Sequence, residues 1–132
     1  MERWWIAIAG LSGVAGVGAD AAARHVLAGD PHRAALVATG AQYGLLHAVA
    51  LVAVAALAAG PWGRGRCGGA AVWLGVAGWC FAAGVILFSG SLYWLANGAP
   101  AMVAPATPLG GILLIAGWAA LLVHAVSARP AG

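Results

Sequence analysis

Residues 70–96 read AAVWLGVAGWCFAAGVILFSGSLYWLA, a run without one acidic or basic side chain. A helix crosses the ~30 Å hydrocarbon core of a bilayer with about 20 apolar residues. This stretch is long enough, and Asn97, Gly98 and Pro100 close it. Three more such runs lie around it. One extends from Trp4 to about Ala23, bounded by Arg3 and Arg24. Another extends from about Ala34 to Ala59, ended by Gly60 and Pro61. The last extends from Pro108 to about Val126, stopped by Arg129 and Pro130. Thr107 followed by Pro108 predicts a helix start, with a hydroxyl at the N-cap and a proline at the first helical position. Period-two alternation is missing over any useful length, which speaks against a transmembrane barrel. The expected fold is all-α: one integral membrane domain over residues 1–132, a four-helix transmembrane bundle with both termini on the same side.

Composition agrees. Of the 132 residues, 64% are apolar and 7% charged, whereas an average soluble domain carries about 25% charged residues. Three acids and six arginines cannot coat a water-soluble surface. Disorder needs low hydrophobicity and high net charge, and the net charge here is only +3. Cys67 and Cys80 are the only cysteines, too few for a disulfide scaffold or a zinc ribbon. Scattered arginines form no basic patch, so no nucleic acid is expected as a partner. The first span, with Arg3 ahead of it and an Ala19-Asp20-Ala21 triplet near its end, has some features of a signal peptide. Its length is enough to cross, so it is expected to remain as a helix.

Arginines near the span ends set the orientation. Arg3, Arg64, Arg66 and Arg129 fall on the side of the termini, and Arg24 and Arg33 on the other, beside Asp20 and Asp30. The excess predicts both termini in the cytoplasm. Trp4, Trp5, Trp62 and Trp73 are expected at the inner interface and Trp94 at the outer. Trp73 and Trp94 are about 31 Å apart at 1.5 Å per residue, a match for two interfacial belts. Trp79 and Trp118 fit no belt and are expected to pack.

Polar residues within the spans are the candidates for chemistry. Asp20 and Arg24 lie four apart near the outer surface, the spacing of a surface ion pair. His47 lies near mid-membrane, about 20 Å along its span, while His124 lies about 25 Å along its own. Such different depths do not suit one metal ion, so no metal site is expected. Tyr43 precedes His47 by four and Thr39 precedes Tyr43 by four, with Gln42 on a neighbouring face. Polar groups in hydrocarbon must find hydrogen bonds, so this face is expected to point into the bundle. Ser89, Ser91 and Tyr93 on the third span are expected to join it in an intramembrane polar cluster. That cluster would hold helix register or, alternatively, form a proton or ligand site. A serine nucleophile is not supported, because no carboxylate sits at mid-depth. Haem ligation by His47 is conceivable but has no support in the sequence, so no cofactor is expected. Small residues recur at helix-packing spacing. Gly40 and Gly44 make a GxxxG pair, and Ser12–Gly16, Ala71–Gly75, Gly78–Ala82 and Ala116–Ala120 repeat it more weakly. Gly90, Gly110 and Gly111 are further candidates for close helix contact.

Several segments resemble a known family. They are Thr39-Gly40 with Tyr43 and His47, the run Leu87-Phe88-Ser89-Gly90-Ser91-Leu92-Tyr93, Thr107-Pro108 with Gly110-Gly111, and Gly117-Trp118. Together they resemble the YgdD-like family of small bacterial inner-membrane proteins, a domain of unknown function with a related mitochondrial membrane protein in animals. The likeness covers roughly residues 10–125. It implies a four-span protein with no established biochemical activity. One departure stands out: the family usually reads Gly-Ala-Phe-Gly-Ala-His after the first span. Here Gly18-Ala19-Asp20-Ala21-Ala22-Ala23-Arg24-His25 is longer and lacks the Phe-Gly.

Two function classes follow. The expected one is a non-enzymatic accessory, assembly or bilayer-organising factor, whose partners are the lipid bilayer and either another membrane protein or further copies of itself. The alternative is an oligomeric proton or small-solute transporter or channel, with Tyr43, His47, Ser89 and Tyr93 on the path. Rings of like charge that select ions in many pores are missing from the sequence.

Overall fold

The computed structural model describes residues 1–61, 63 and 68–128. Trp62, Arg64, Arg66, Cys67, Arg129 and Pro130 therefore lie outside the described residues. The chain forms α1 (Glu2–His25), α2 (Pro31–Ala59), α3 (Ala71–Ala96) and α4 (Ala106–Ser127), with short 3-10 turns at Gly68–Ala70 and Ala101–Val103. All four helices, the last counted from Ala101, are long and apolar enough to cross a membrane. Among the described residues there is no strand. The fold is a four-helix transmembrane bundle.

Local chemistry sets the helix ends, and some differ from expectation. α2 starts before its apolar run. Asp30 is the N-cap, its carboxylate accepting from the Arg33 backbone N–H at 3.1 Å, and Pro31 takes the first helical position. That pairing is a strong start signal. Thr107 does not cap α4. The helix begins at Ala106 after Pro105, so Pro108 sits within the first turn, where a missing N–H is tolerated. α2 ends at Gly60, whose extended conformation (φ −86°, ψ −168°) is what a residue before proline requires. α3 ends at Asn97 and Gly98. Gly98 takes φ +85°, a left-handed value that suits glycine, as the chain turns away.

α1 packs on α2, α2 on α3 and α3 on α4, while α1 touches α3 more sparsely. At one end Met1, Ala58 and Ala71 border one cavity, and His124 Nδ1 donates to the Ala70 carbonyl at 2.8 Å. At the other, Arg33 Nε donates to the Ala96 carbonyl at 2.6 Å. Successive helices thus run in opposite directions. Outer faces remain apolar, as at Val14 and Ile115, which is expected where lipid is the solvent.

Glycine notches bring the helices together. A Cβ on Gly117 would lie 2.5 Å from the Phe81 ring, and one on Gly84 would lie 2.6 Å from Leu114 Cδ2. A Cβ on Gly110 would collide with the Phe88 backbone. Gly78 receives Trp5. Trp5 is therefore a core residue with 1% exposure rather than a belt residue beside Trp4, which is exposed. Neighbours on a helix are about 100° apart, so the two rings diverge. Gly111 makes ordinary contact with the Phe88 ring at 3.8 Å. Gly90 makes no helix contact: it is exposed, and a Cβ there would meet nothing within 4 Å. The expectation of close packing fails at Gly90 because its direction falls outside the α2 and α4 seams.

The two glycines predict opposite outcomes. Gly110→Ala should destabilise the folded protein by about 1–3 kcal/mol through overpacking. Gly90→Ala should be neutral or stabilise by up to ~1 kcal/mol through helix propensity. Thermal melting in detergent compares them, and equal melting temperatures would contradict the assignment of Gly110 to a backbone contact.

Candidate functional site

The residues expected in one polar cluster separate into three places. His47 lies on α2 with 2% exposure. Its Nε2 accepts the Trp118 indole N–H across to α4 at 3.2 Å. Its Nδ1 lies 2.9 Å from the Tyr43 backbone carbonyl. A carbonyl only accepts, so Nδ1 carries the proton, and the neutral ring is satisfied at both nitrogens. Phe81 and Trp118 surround it, with ring centroids 5.4 and 6.1 Å away. The Tyr43 ring stacks on His47 at 6.1 Å and meets Phe88 at 4.7 Å. The bond between Tyr43 and His47 uses the tyrosine backbone, and Tyr43 itself remains exposed.

Ser91 occupies the α3–α4 seam. Its hydroxyl donates to the Phe88 carbonyl at 3.0 Å and lies 2.7 Å from the Thr107 hydroxyl. With its one proton on Phe88, Ser91 accepts from Thr107. Ser89 faces the other way, over Gly44 and towards α1. A Cβ on Gly44 would lie 3.4 Å from Ser89 Oγ and 3.8 Å from the Tyr93 hydroxyl. The Tyr93 ring covers Gly40. Helix geometry explains the separation, since residues two apart are about 200° apart and face opposite sides.

Thr39 and Gln42 belong to none of these groups, because both are exposed on the outer face of α2. Four residues advance the helix by about 40° beyond a full turn, so two such steps rotate Thr39 about 80° away from His47. The inward polar face expected for Thr39, Tyr43 and His47 is thus inward only at His47.

Sequence reasoning missed two partners. Trp118 serves as the hydrogen-bond donor to His47 as well as packing. Thr107 holds Ser91 instead of a helix end. The signal for the second was available in depth: Ser91 near the C-terminal end of α3 and Thr107 near the start of α4 fall level in adjacent antiparallel helices. Arg24 Nε bonds Asp20 at 2.9 Å on the exposed surface. Among the described residues, no three His, Cys, Asp or Glu side chains are placed to share a metal ion. Two buried polar atoms have no hydrogen-bond partner among the described residues, Trp5 Nε1 and Ser89 Oγ.

Four apolar crossings held by polar ties from helix to helix define a small multi-pass integral membrane protein in contact with lipid. The match to a family model described as "Protein of unknown function (DUF423)" covers residues 19–111, and the chain belongs to that family. It is 41% identical over 88 residues to the UPF0382 membrane protein YwdK of Bacillus subtilis, covering 67% of this chain and 66% of that protein. It is 34% identical to a UPF0382 membrane protein of Haemophilus influenzae over 92% of each chain. It is 31% identical to the UPF0382 inner membrane protein YgdD of Escherichia coli, covering 99% of this chain and 95% of that one. No solved structure matches significantly. The family is uncharacterised, and its matched region contains His47, Ser89, Ser91, Tyr93 and Thr107 but ends before Trp118.

The His47–Trp118 bond predicts coupling between the two positions. In a double-mutant cycle of His47→Phe and Trp118→Phe, unfolding in detergent should give an interaction energy of about 0.6 kcal/mol, the average for hydrogen bonds between membrane helices, and no more than about 1.7 kcal/mol. Additive effects would mean that the bond contributes nothing to stability.

Proposed function

We propose that the chain is a non-enzymatic accessory or assembly protein of the bacterial inner membrane, a compact scaffold that presents its apolar faces to lipid and to a partner protein or further copies of itself. The observation that carries this reading is the self-sufficiency of His47 and of the Ser91–Thr107 pair. His47 is almost fully buried with both ring nitrogens engaged within the chain. Ser91 likewise donates to the Phe88 carbonyl and accepts from Thr107. A proton relay through His47 would have to displace the Trp118 N–H, and an axial metal bond there would have to break it. Groups tied in this way favour register over transport.

The location draws support from the Escherichia coli relative, which is named an inner membrane protein. Orientation rests on the arginine count, which favours cytoplasmic termini. A reporter active only in the periplasm, fused to the C-terminus, should stay dark, and a bright fusion would reverse the topology.

Reconstitution into liposomes containing a pH-sensitive dye tests the function. The protein should give no proton flux above empty vesicles, and mild-detergent pull-down should recover a stoichiometric protein partner or a defined oligomer. A robust flux abolished by His47→Gln would replace the scaffold reading with the transport one.

A further inference from the structure

α1 and α3 meet closely where Trp5 reaches α3, and at the far end Ala23, Val37 and Ala96 form a small buried cluster. Near the termini Trp5 fills the notch at Gly78 and its ring lies edge-on to Trp79, with centroids 6.2 Å apart. Beyond that contact a cleft opens, with α1 and α3 as walls and α2 as floor. It holds two cavities. The deeper one, about 240 Å³, lies over Gly44 and is bordered by Ser12, Ser89, Gly90 and Tyr93. The shallower one, about 360 Å³, is bordered by Ala19, Arg33, Tyr93 and Asn97. Tyr93 borders both, so they follow one another along the cleft.

The chemistry changes along it. At the mouth is the Arg33 guanidinium, anchored through Nε to the Ala96 carbonyl and without an ion pair among the described residues. About two turns deeper along α3, the hydroxyls of Tyr93 and Ser89 converge over Gly44. Ser89 is 4% exposed and borders the deeper cavity, and its buried hydroxyl has no hydrogen-bond partner among the described residues. A buried hydroxyl left unpaired in hydrocarbon is costly, which points to an acceptor supplied from outside the chain. Below it the lining is apolar apart from Ser12, and Gly90 leaves the wall open. A cation at the surface, hydroxyl donors beneath it and an apolar trough below match the order of groups in one molecule: phosphate, ester carbonyl, acyl chain. Depth agrees, because Ser89 lies about 10 Å along α3 from Ala96.

We propose that the α1–α3 cleft is a binding site for one anionic phospholipid of the leaflet opposite the termini. Arg33 holds the phosphate, Ser89 and Tyr93 donate to an ester carbonyl, and one acyl chain lies against Gly44 and Gly90. This site is separate from the His47 centre, and it stands whether or not the scaffold reading holds.

Native mass spectrometry of the full chain in mild detergent tests it, with phosphatidylglycerol, a diacylglycerol of the same chains, or inorganic phosphate added. The expected result is one phosphatidylglycerol retained per chain, with diacylglycerol and phosphate held far more weakly. Arg33→Gln should lower retention about fivefold, the factor that one basic residue near an anionic lipid surface supplies. Arg33→Lys should keep most of it. Gly90→Leu fills the trough at an open position that folding does not use, so it should lower retention without lowering the melting temperature. Equal retention of diacylglycerol would remove the phosphate contact, and equal binding of inorganic phosphate would make Arg33 a free-anion site. Wild-type retention by both Arg33→Gln and Gly90→Leu would place the lipid elsewhere. Any of these three results overturns the proposal.

Discussion

Close approach between helices at glycine is the constraint on which this bundle depends. Within lipid, apolar side chains gain nothing by leaving one hydrocarbon surroundings for another, so helices must be held by dispersion contacts and hydrogen bonds. Along the α3–α4 seam, positions 81, 84, 88 and 91 meet 117, 114, 110 and 107. Both helices advance by three, four and three residues in opposite directions. The pairs are phenylalanine on glycine, glycine against leucine, phenylalanine above glycine, and serine to threonine. Each helix supplies bulk where the other has a notch, and the seam ends in a hydrogen bond. A slip by one helical turn would set Phe81 against Leu114 and leave the Gly117 notch without a ring to fill it. Register is therefore fixed by shape, with little help from charge.

The α2–α3 seam uses the same device with a different outcome. Gly40 and Gly44 lie under Tyr93 and Ser89, so the notches receive side chains that carry hydroxyls. α2 can then present its opposite flank to α4 through His47, with Phe81 and Trp118 closing around the imidazole. α2 and α4 share few backbone contacts, yet this one side-chain bond connects them. An imidazole is well suited here, because one nitrogen can satisfy its own helix while the other reaches across. Glutamine could reproduce the reach but not the ring packing.

Much of this was legible in the sequence. Four crossings follow from run length and the near absence of charge, and the breakers Gly60-Pro61 and Asn97-Gly98 mark their ends. Gly40 and Gly44 were readable as contact positions because spacing identifies a helix face. Spacing alone does not say which way that face points. A chain apolar all round gives weak rotational information, so Thr39 and Gln42 were assigned inward when they face outward, and Gly90 was assigned a neighbour it does not have. Partners across helices were harder still. Trp118 and Thr107 are named only once the antiparallel register is known, and that register is encoded jointly by two segments. The start of α2 at Asp30-Pro31 was missed for a simpler reason: the apolar run begins later than the helix, and a cap follows local hydrogen bonding rather than hydropathy.

The same packing logic explains why the cleft exists. α1 makes its tight contacts with α2 at Gly16, against Leu45, and with α3 through Trp5 at Gly78. Gly10, Gly13 and Gly18 of α1 meet nothing within 4 Å. An indole is the largest side chain the sequence could place at Gly78, and it acts as a spacer at that end while providing no matching contact higher up. Facing the gap, α3 carries Ser89, Gly90 and Tyr93 rather than the bulky leucines that would close it. Closing the cleft by rotation of α1 would pull Trp5 from its notch and expose an otherwise buried ring. Retaining it leaves a hydroxyl without a partner inside the hydrocarbon, a cost that a bound acceptor offsets. An open cleft is thus the arrangement that satisfies both ends of α1, provided that lipid completes it.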